Sequence, residues 1–390
     1  MDDVSVVAPA AQRERAGAAE RELRVLALTS YPDEAACTRF RIGQFVDRLS
    51  ARGAHVTLLP FLDTAAFRRL YDPRRWLQTT LSVIAGIVRR VVQLPVMWRA
   101  DVVFIQREAM LLGPPLVEWI AARVARRPVV LDLDDATYLD QAGSVYGRLT
   151  RVLKARHKAE RLIDYSSLVI CGNEWIADYV RARGRRAAVL PTTVDTALFT
   201  PRSDDPTTGR DVPVIGWIGS HSTAAYLKTI VPVLERLARD HRFRVRVVGA
   251  GEPIAIAGVE VDNLPWRRDR EVFDFQTLDI GVYPLADDVW AQAKSGLKAA
   301  EYLAVGVPFV ASPVGVVAHL GREGETHFFA RTPDEWYEAL ARLLREPQRR
   351  QVMGAACRAY AIEHYSVEEV GRCLDELLRG AASRMRHLPT

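Results

Sequence analysis

Lys294 and Lys298 lie one helical turn apart, with Ser295, Gly296 and Leu297 between them and Glu301 three positions further on. Two ammonium groups at that spacing can share a diphosphate, and the glycine lets a ligand approach the backbone. A carboxylate on the face of Lys298 can accept from both hydroxyls of a ribose. The same residues can also serve as surface charges at a strand–helix junction. A second group, Gly219, Ser220, His221, Ser222 and Thr223, follows the apolar run Val214–Ile218. A helix capped by Ser222 or Thr223 would begin there, and its first amides would suit a phosphate. A capped turn with no ligand has the same sequence signature. The third group is Asp132-Leu133-Asp134-Asp135. Strand alternation puts Asp132 and Asp134 on one face, with Asp135 opening a turn. Helix capping by Asp135 beside a structural Asp132 is one use of this run, and metal binding by paired carboxylates is another.

All three groups stand where short apolar runs meet polar turns. The apolar runs Arg24–Thr29, His55–Leu59, Val102–Gln106, Val129–Leu133, Val169–Cys171 and Ala188–Leu190 alternate with helical stretches such as Ile42–Arg52, Leu116–Arg126 and Glu174–Arg183. This is the pattern of a parallel sheet with crossover helices. Thr200–Pro213, rich in Pro, Asp, Thr and Gly, reads as a linker. Beyond it the alternation restarts with strands at Val214–Ile218, Arg244–Val248, Glu260–Asn263 and Ile280–Tyr283, a helix at Ala224–Arg239, and a helical end from Asp334. The expected organisation is a tail at 1–22, an α/β domain at 23–199, a linker at 200–213, a second α/β domain at 214–365, and a final helix and tail at 366–390.

Composition narrows the classes. The 390 residues are too many for one compact core, and 49% hydrophobic with 26% charged is ordinary for a soluble globular protein. A net charge of +5 without basic tracts interleaved with aromatics excludes a nucleic-acid partner. Cys37, Cys171, Cys357 and Cys373 have no metal-ligand spacing, which fits a reducing cytoplasm. The first twenty or so residues lack the apolar core of a signal peptide, and no uninterrupted apolar run reaches the roughly 18 residues of a spanning helix. The stretch 67–99 is helical in pattern and basic, with Arg68, Arg69, Arg74, Arg75, Arg89, Arg90 and Arg99 among Leu, Ile, Val and Trp. It would either pack on the sheet with a solvated cationic face or lie on an anionic membrane surface.

Two segments carry a family resemblance. Pro191–Pro201 (PTTVDTALFTP) resembles the segment that ends the first domain of family 4 retaining glycosyltransferases, N-G-V-D-x-x-x-F-x-P. Gly296–Pro308 (GLKAAEYLAVGVP), running on through Val310 to Ser312, is similar to that family's donor block, G-x-x-x-x-E-x-x-A-x-G-x-P-V-x-A-S. The resemblance covers the chain from about Arg24 to Leu378. It implies an α/β GT-B fold: two Rossmann-like domains facing across a cleft, with the last helix crossing back to the first. The donor would be a nucleotide-diphosphate sugar of UDP or GDP type, bound on the second domain, and the acceptor a glycan, lipid-linked or small-molecule hydroxyl on the first.

Carried onto matching positions, the resemblance implies that Glu301 holds the ribose and that Lys298, with the Gly219–Thr223 turn, holds the diphosphate. Leu264, Pro265 and Trp266 would lie by the base. Asp134 would stand near the reacting sugar and help to orient or deprotonate the acceptor hydroxyl, in a retaining transfer that needs neither an enzyme nucleophile nor a metal. The sequence departs from the pattern at three places. Ala293 replaces a glutamate that contacts the transferred sugar, the Arg and Lys of the second domain's first turn are missing, and the loop after the first strand carries Thr38, Arg39 and Arg41 instead of paired glycines. Lys294 and Lys298, with Arg39 or Arg41, are expected to restore the cationic charge, while Asp287 and Asp288 would meet sugar hydroxyls. Arg107 and Glu108 would line the acceptor side. Ala293 also leaves open a non-catalytic GT-B subunit that binds nucleotide.

Overall fold

The computed structural model describes residues 22–70, 72–136, 157–203 and 212–385. All of the expected 1–22 tail but residue 22, and most of the expected linker, lie outside them. The described chain forms two compact units, one of residues up to Thr192 together with Glu368 onward, the other Thr193–Val367.

The first unit is built on β1 (Leu23–Thr29), β2 (Ala54–Pro60), β3 (Val102–Gln106), β4 (Val129–Leu133), β5 (Leu168–Cys171) and β6 (Ala187–Val189), in the order β2-β1-β3-β4-β5-β6 with every pair parallel. β3, β4 and β5 are buried along their whole length, as apolar strands covered on both faces must be. Strand order reverses between β1 and β3. In an open parallel sheet that is where ligands collect, at the carboxyl ends of the strands. The loops after β1 and β3 carry Arg39, Arg41 and Arg107.

The helical stretch expected at 67–98 is interrupted before Pro73, where Asp72 is extended, as the residue preceding a proline prefers, and caps the next turn. A short helix at Thr64–Arg69 precedes it, and the helix Trp76–Gln93 follows. Arg68, Arg74, Arg75 and Arg99 are exposed as expected of this stretch, whereas Arg90 is fully buried and the outward face of Trp76–Gln93 is apolar. The chain's last helix, Val367–Met385, packs on the first unit. Arg48 donates to Glu368 at 2.6 Å, and Arg379 donates to the Arg52 carbonyl at 2.5 Å.

The second unit holds β7 (Val214–Ile218), β8 (Arg244–Val248), β9 (Glu260–Leu264), β10 (Ile280–Tyr283), β11 (Phe309–Ala311) and β12 (His327–Phe329), all parallel, in the order β12-β11-β10-β7-β8-β9. Counted within this unit, that is the dinucleotide-fold order, with its reversal between β7 and β10. The helix Leu297–Val305 is held to the middle of the sheet by Tyr302, whose hydroxyl donates to the carbonyls of Gly216 and Val282 at 3.1 and 3.3 Å. Phe199, Phe275, Tyr302, Phe309, His327 and Phe329 form a continuous series of ring contacts, with centroids 4.4 to 6.4 Å apart. Phe199 thus anchors the Pro191–Pro201 motif to the second unit, where Arg358 also donates to the Thr196 and Phe199 carbonyls.

Candidate functional site

In the second unit the residues gathered by the sequence lie on turns at the carboxyl ends of β7, β9 and β10 and at the helix Leu297–Val305. Glu301 is fully buried, and its Oε2 accepts from Lys298 Nζ at 2.8 Å. The two are three residues apart, so helical geometry places them on one face. The ammonium also lies 5.5 Å from the Phe275 ring centroid. Gly296 precedes the helix with φ 71°, and no side chain caps its first turn. Ser295 and Leu297 flank this glycine, both half-buried.

Lys294 does not join Lys298 on a common helical face. It follows a separate short helix, Val289–Gln292, and its ammonium sits 4.8 Å over the Trp290 ring. Asp288 caps that short helix, accepting from Ala291 N at 2.7 Å, and also receives the Tyr226 hydroxyl at 3.0 Å. Asp287 accepts from Gln292 at 2.7 Å. Both carboxylates therefore support the loop after β10. Ala293, at the position where the sequence departs from the resembled pattern, is buried.

The Gly219–Thr223 turn differs from its expected form. Thr223 occupies the cap position of the helix Ala224–Thr229 without a side-chain cap bond. Its hydroxyl turns back, accepting from Ser220 N at 3.1 Å and donating to the Ser220 carbonyl at 3.0 Å, while Ser220 and Ser222 share a hydroxyl bond of 2.8 Å. The helix stops at Thr229, and a second, Val231–Leu237, begins with Pro232 in its first turn. The expected single helix to Arg239 is broken there because proline cannot donate within a helix.

Gly249 and Gly251 were not singled out from the sequence. Gly249 has φ 82°, and a Cβ there would fall 2.3 Å from the Gly219 carbonyl oxygen and 3.2 Å from Trp266 Cβ. The turns after β7 and β8 thus meet backbone to backbone, with the Trp266 side chain after β9 packed against them. The glycines of the G-A-G run at 249–251 are the signal that could have shown it. Trp266, half-buried, donates its indole N–H to Glu271 at 3.2 Å.

In the first unit each carboxylate of the D-x-D run is answered by its own arginine. Arg41 and Asp132 are both buried, and the guanidinium grips both carboxylate oxygens, with Nη2 to Oδ1 at 2.6 Å. Nη1 donates to the Leu190 carbonyl at 2.6 Å and to Thr192 Oγ1 at 3.2 Å. Burial drives the Asp132 carboxyl up, against the pull of Arg41. Arg41 is thereby corrected from a phosphate contact to a structural clamp, because all three of its nitrogens are spent inside the unit. Arg39 is also buried and lies 4.6 Å from the Phe40 ring centroid.

Arg107 holds Asp134 with two parallel bonds of 2.7 and 2.8 Å and Asp135 with a third of 2.7 Å. It does so from a left-handed backbone, φ 61°, a conformation uncommon outside glycine that recurs at functional positions. Gln106 adds a bond to Asp134 at 3.3 Å. Cys37 lies within this field, its thiol pushed up to about 11 by burial, with Arg107 pulling the other way. Beside them Lys158 pairs with Glu108 at 2.9 Å and donates to the Met110 carbonyl at 2.6 Å. Both carboxylates of the D-x-D run are therefore paired with a guanidinium inside this unit.

Two parallel six-stranded sheets with crossover helices, the second in dinucleotide order, and a last helix returning to the first unit define a two-domain α/β GT-B fold. Residues 212–346 match the family Glycosyl transferases group 1. The chain is similar in structure to sucrose-phosphate synthase from Thermosynechococcus elongatus, with TM-score 0.64, 14% identity, and coverage of 93% of this chain and 100% of that one. It is similar to Anabaena HepE in complex with UDP-glucose, at TM-score 0.65, 18% identity, and 92% and 100% coverage. A glycosyltransferase from Rickettsia africae ESF-5 gives TM-score 0.65, 11% identity, and 93% and 99% coverage. No curated protein matches the sequence.

Proposed function

We propose that the protein is a retaining glycosyltransferase of the family 4 kind, moving a sugar from a nucleotide-diphosphate donor to an acceptor hydroxyl without a metal ion. The observation that carries this reading is the Lys298–Glu301 pair at the head of a helix in the matched 212–346 region. It is joined by the glycine turns at the sheet's reversal. The Lys298 ammonium covers Oε2 of Glu301. With donor bound, Lys298 turns to the diphosphate and the Glu301 carboxylate accepts from the ribose hydroxyls. The lysine, with Ser220, Ser222 and Thr223 of the Gly219 turn, stabilises the departing diphosphate where its charge grows. Trp266 lies on the base side, and the HepE complex with UDP-glucose favours a uridine nucleotide over guanosine. Asp134, fixed by Arg107, orients the acceptor hydroxyl, and the leaving phosphate takes its proton. Four free cysteines suit a cytoplasmic setting.

Ala293 favours one other reading, a GT-B subunit that binds nucleotide without transfer. It offers no carboxylate to the sugar, and Asp287 and Asp288 are engaged in their own loop. A panel of UDP- and GDP-sugars, followed for transfer to added sugar acceptors and for donor hydrolysis, separates the two. Release of nucleoside diphosphate from at least one donor is the expected result. Tight nucleotide binding with no turnover of any donor would select the subunit reading, and neither binding nor turnover would reject both.

A further inference from the structure

The helix Trp76–Gln93 in the first unit is built inside out. Its inward stripe carries Thr79, Gly86 and Arg90, all buried, with Val83 and Ile87 partly covered. Its outward stripe is Leu77, Leu81, Ile84, Val88, Val91 and Val92, each 53% to 72% exposed. At about 100° per residue these six fall within an arc of roughly 100° that contains no charged residue.

The inversion has a local cause. A Cβ on Gly86 would meet the Phe61 ring and carbonyl oxygen at 2.9 Å, so the helix lies directly against that strand end. Arg90 then donates to the carbonyls of Ala109 at 3.0 Å, Leu59 at 3.1 Å and Thr29 at 3.2 Å, and to Gln93 at 3.0 Å. Polar bonds fix the helix from within, leaving its apolar side outward. An apolar stripe of this length on a soluble unit marks an interaction surface.

The rim identifies the occupant. Arg74 and Arg75 stand at the start of the helix, and Arg99 stands at the end of the turn that continues it. Arg127 joins that far end by donating to the Trp98 carbonyl at 2.7 Å. Trp76 and Trp98 are exposed near the two ends of the stripe. Residues 67–99 hold seven arginines against one aspartate and no glutamate. Indoles and cations framing an apolar stripe match the headgroup and acyl boundary of an anionic bilayer. A second copy would bring one cationic rim against another. Trp76–Arg99 is long and apolar enough to cross a membrane, with mean hydropathy 1.4. Crossing would tear Arg90 from three sheet-end carbonyls, so the helix lies in the plane of the interface instead.

We propose that this face seats the protein on an anionic lipid surface. The inference does not depend on the transferase reading. Co-sedimentation of the full chain with phosphatidylcholine vesicles, with and without phosphatidylglycerol, tests it. The parent is expected to bind the mixed vesicles at least tenfold more tightly than the neutral ones. The variant Leu81→Gln/Ile84→Gln/Val88→Gln should lose on the order of a hundredfold in binding while keeping the parent's thermal melt, since it alters only exposed positions. Arg74→Gln/Arg75→Gln should weaken binding about fivefold per arginine. Failure of the parent to bind either vesicle, equal binding by the triple variant, or a parent dimer that the triple variant abolishes and vesicles do not compete for would each overturn the proposal.

Discussion

Lys298→Ala is expected to weaken nucleoside diphosphate binding by about 30- to 100-fold, the worth of one charge-assisted contact to phosphate. The same substitution should cost the second unit about 3–5 kcal/mol of stability, because it strips the ammonium from a carboxylate with no solvent access. The two effects can be pulled apart. In Lys298→Ala/Glu301→Ala the buried charge goes with its partner, and replacing both members of such a pair by apolar groups is close to neutral. The double variant should therefore melt near the parent while binding nucleotide no better than the single one. Calorimetric titration with UDP and GDP, beside thermal melts of the three proteins, checks this. A double variant that regains nucleotide affinity along with stability would make the pair purely structural.

Arg41→Ala is the second large effect, and it falls on the first unit. The substitution removes all three bonds to Asp132 and leaves the Leu190 carbonyl and Thr192 hydroxyl without this donor. An uncompensated buried carboxylate costs about 3–5 kcal/mol. Arg41→Lys should recover only part of this, since one ammonium cannot span a carboxylate and a carbonyl in a fixed fork. Arg41→Met/Asp132→Leu should recover most of it. Urea denaturation followed by circular dichroism gives the comparison. If Arg41→Ala kept the parent's midpoint and instead lost nucleotide affinity, Arg41 would return to the phosphate contact that its place after β1 first implied.

Elements whose sequence cause is local were readable in advance. β3, β4, β7 and β10 stand where their apolar runs do, because a strand buried on both faces needs such a run and polar turns bound it. That Lys298 and Glu301 share a helix face also followed from spacing alone; that they bond to each other did not. What escaped the sequence depends on contacts between distant segments. Arg41 and Asp132 are 91 positions apart, and nothing near either residue distinguishes a buried clamp from a ligand contact. Thr223 turned its hydroxyl back to Ser220 rather than capping forward, a choice between two local bonds that the sequence does not rank. The outward apolar face of Trp76–Gln93 was hidden by the habit of assigning the apolar stripe to the core. Only the bonds of Arg90 to three separate segments show which side faces in.

The central claim is that a nucleotide-diphosphate sugar binds to the turns after β7, β8 and β9 and to the head of the helix Leu297–Val305. Amide hydrogen exchange of the full chain, with and without saturating UDP, tests it most directly. Protection is predicted in 219–223, 249–251 and 294–301, and it should be absent in Lys298→Ala/Glu301→Ala at the same nucleotide concentration. Protection confined to other segments, or unchanged exchange in these three at a concentration where calorimetry shows binding, would contradict it.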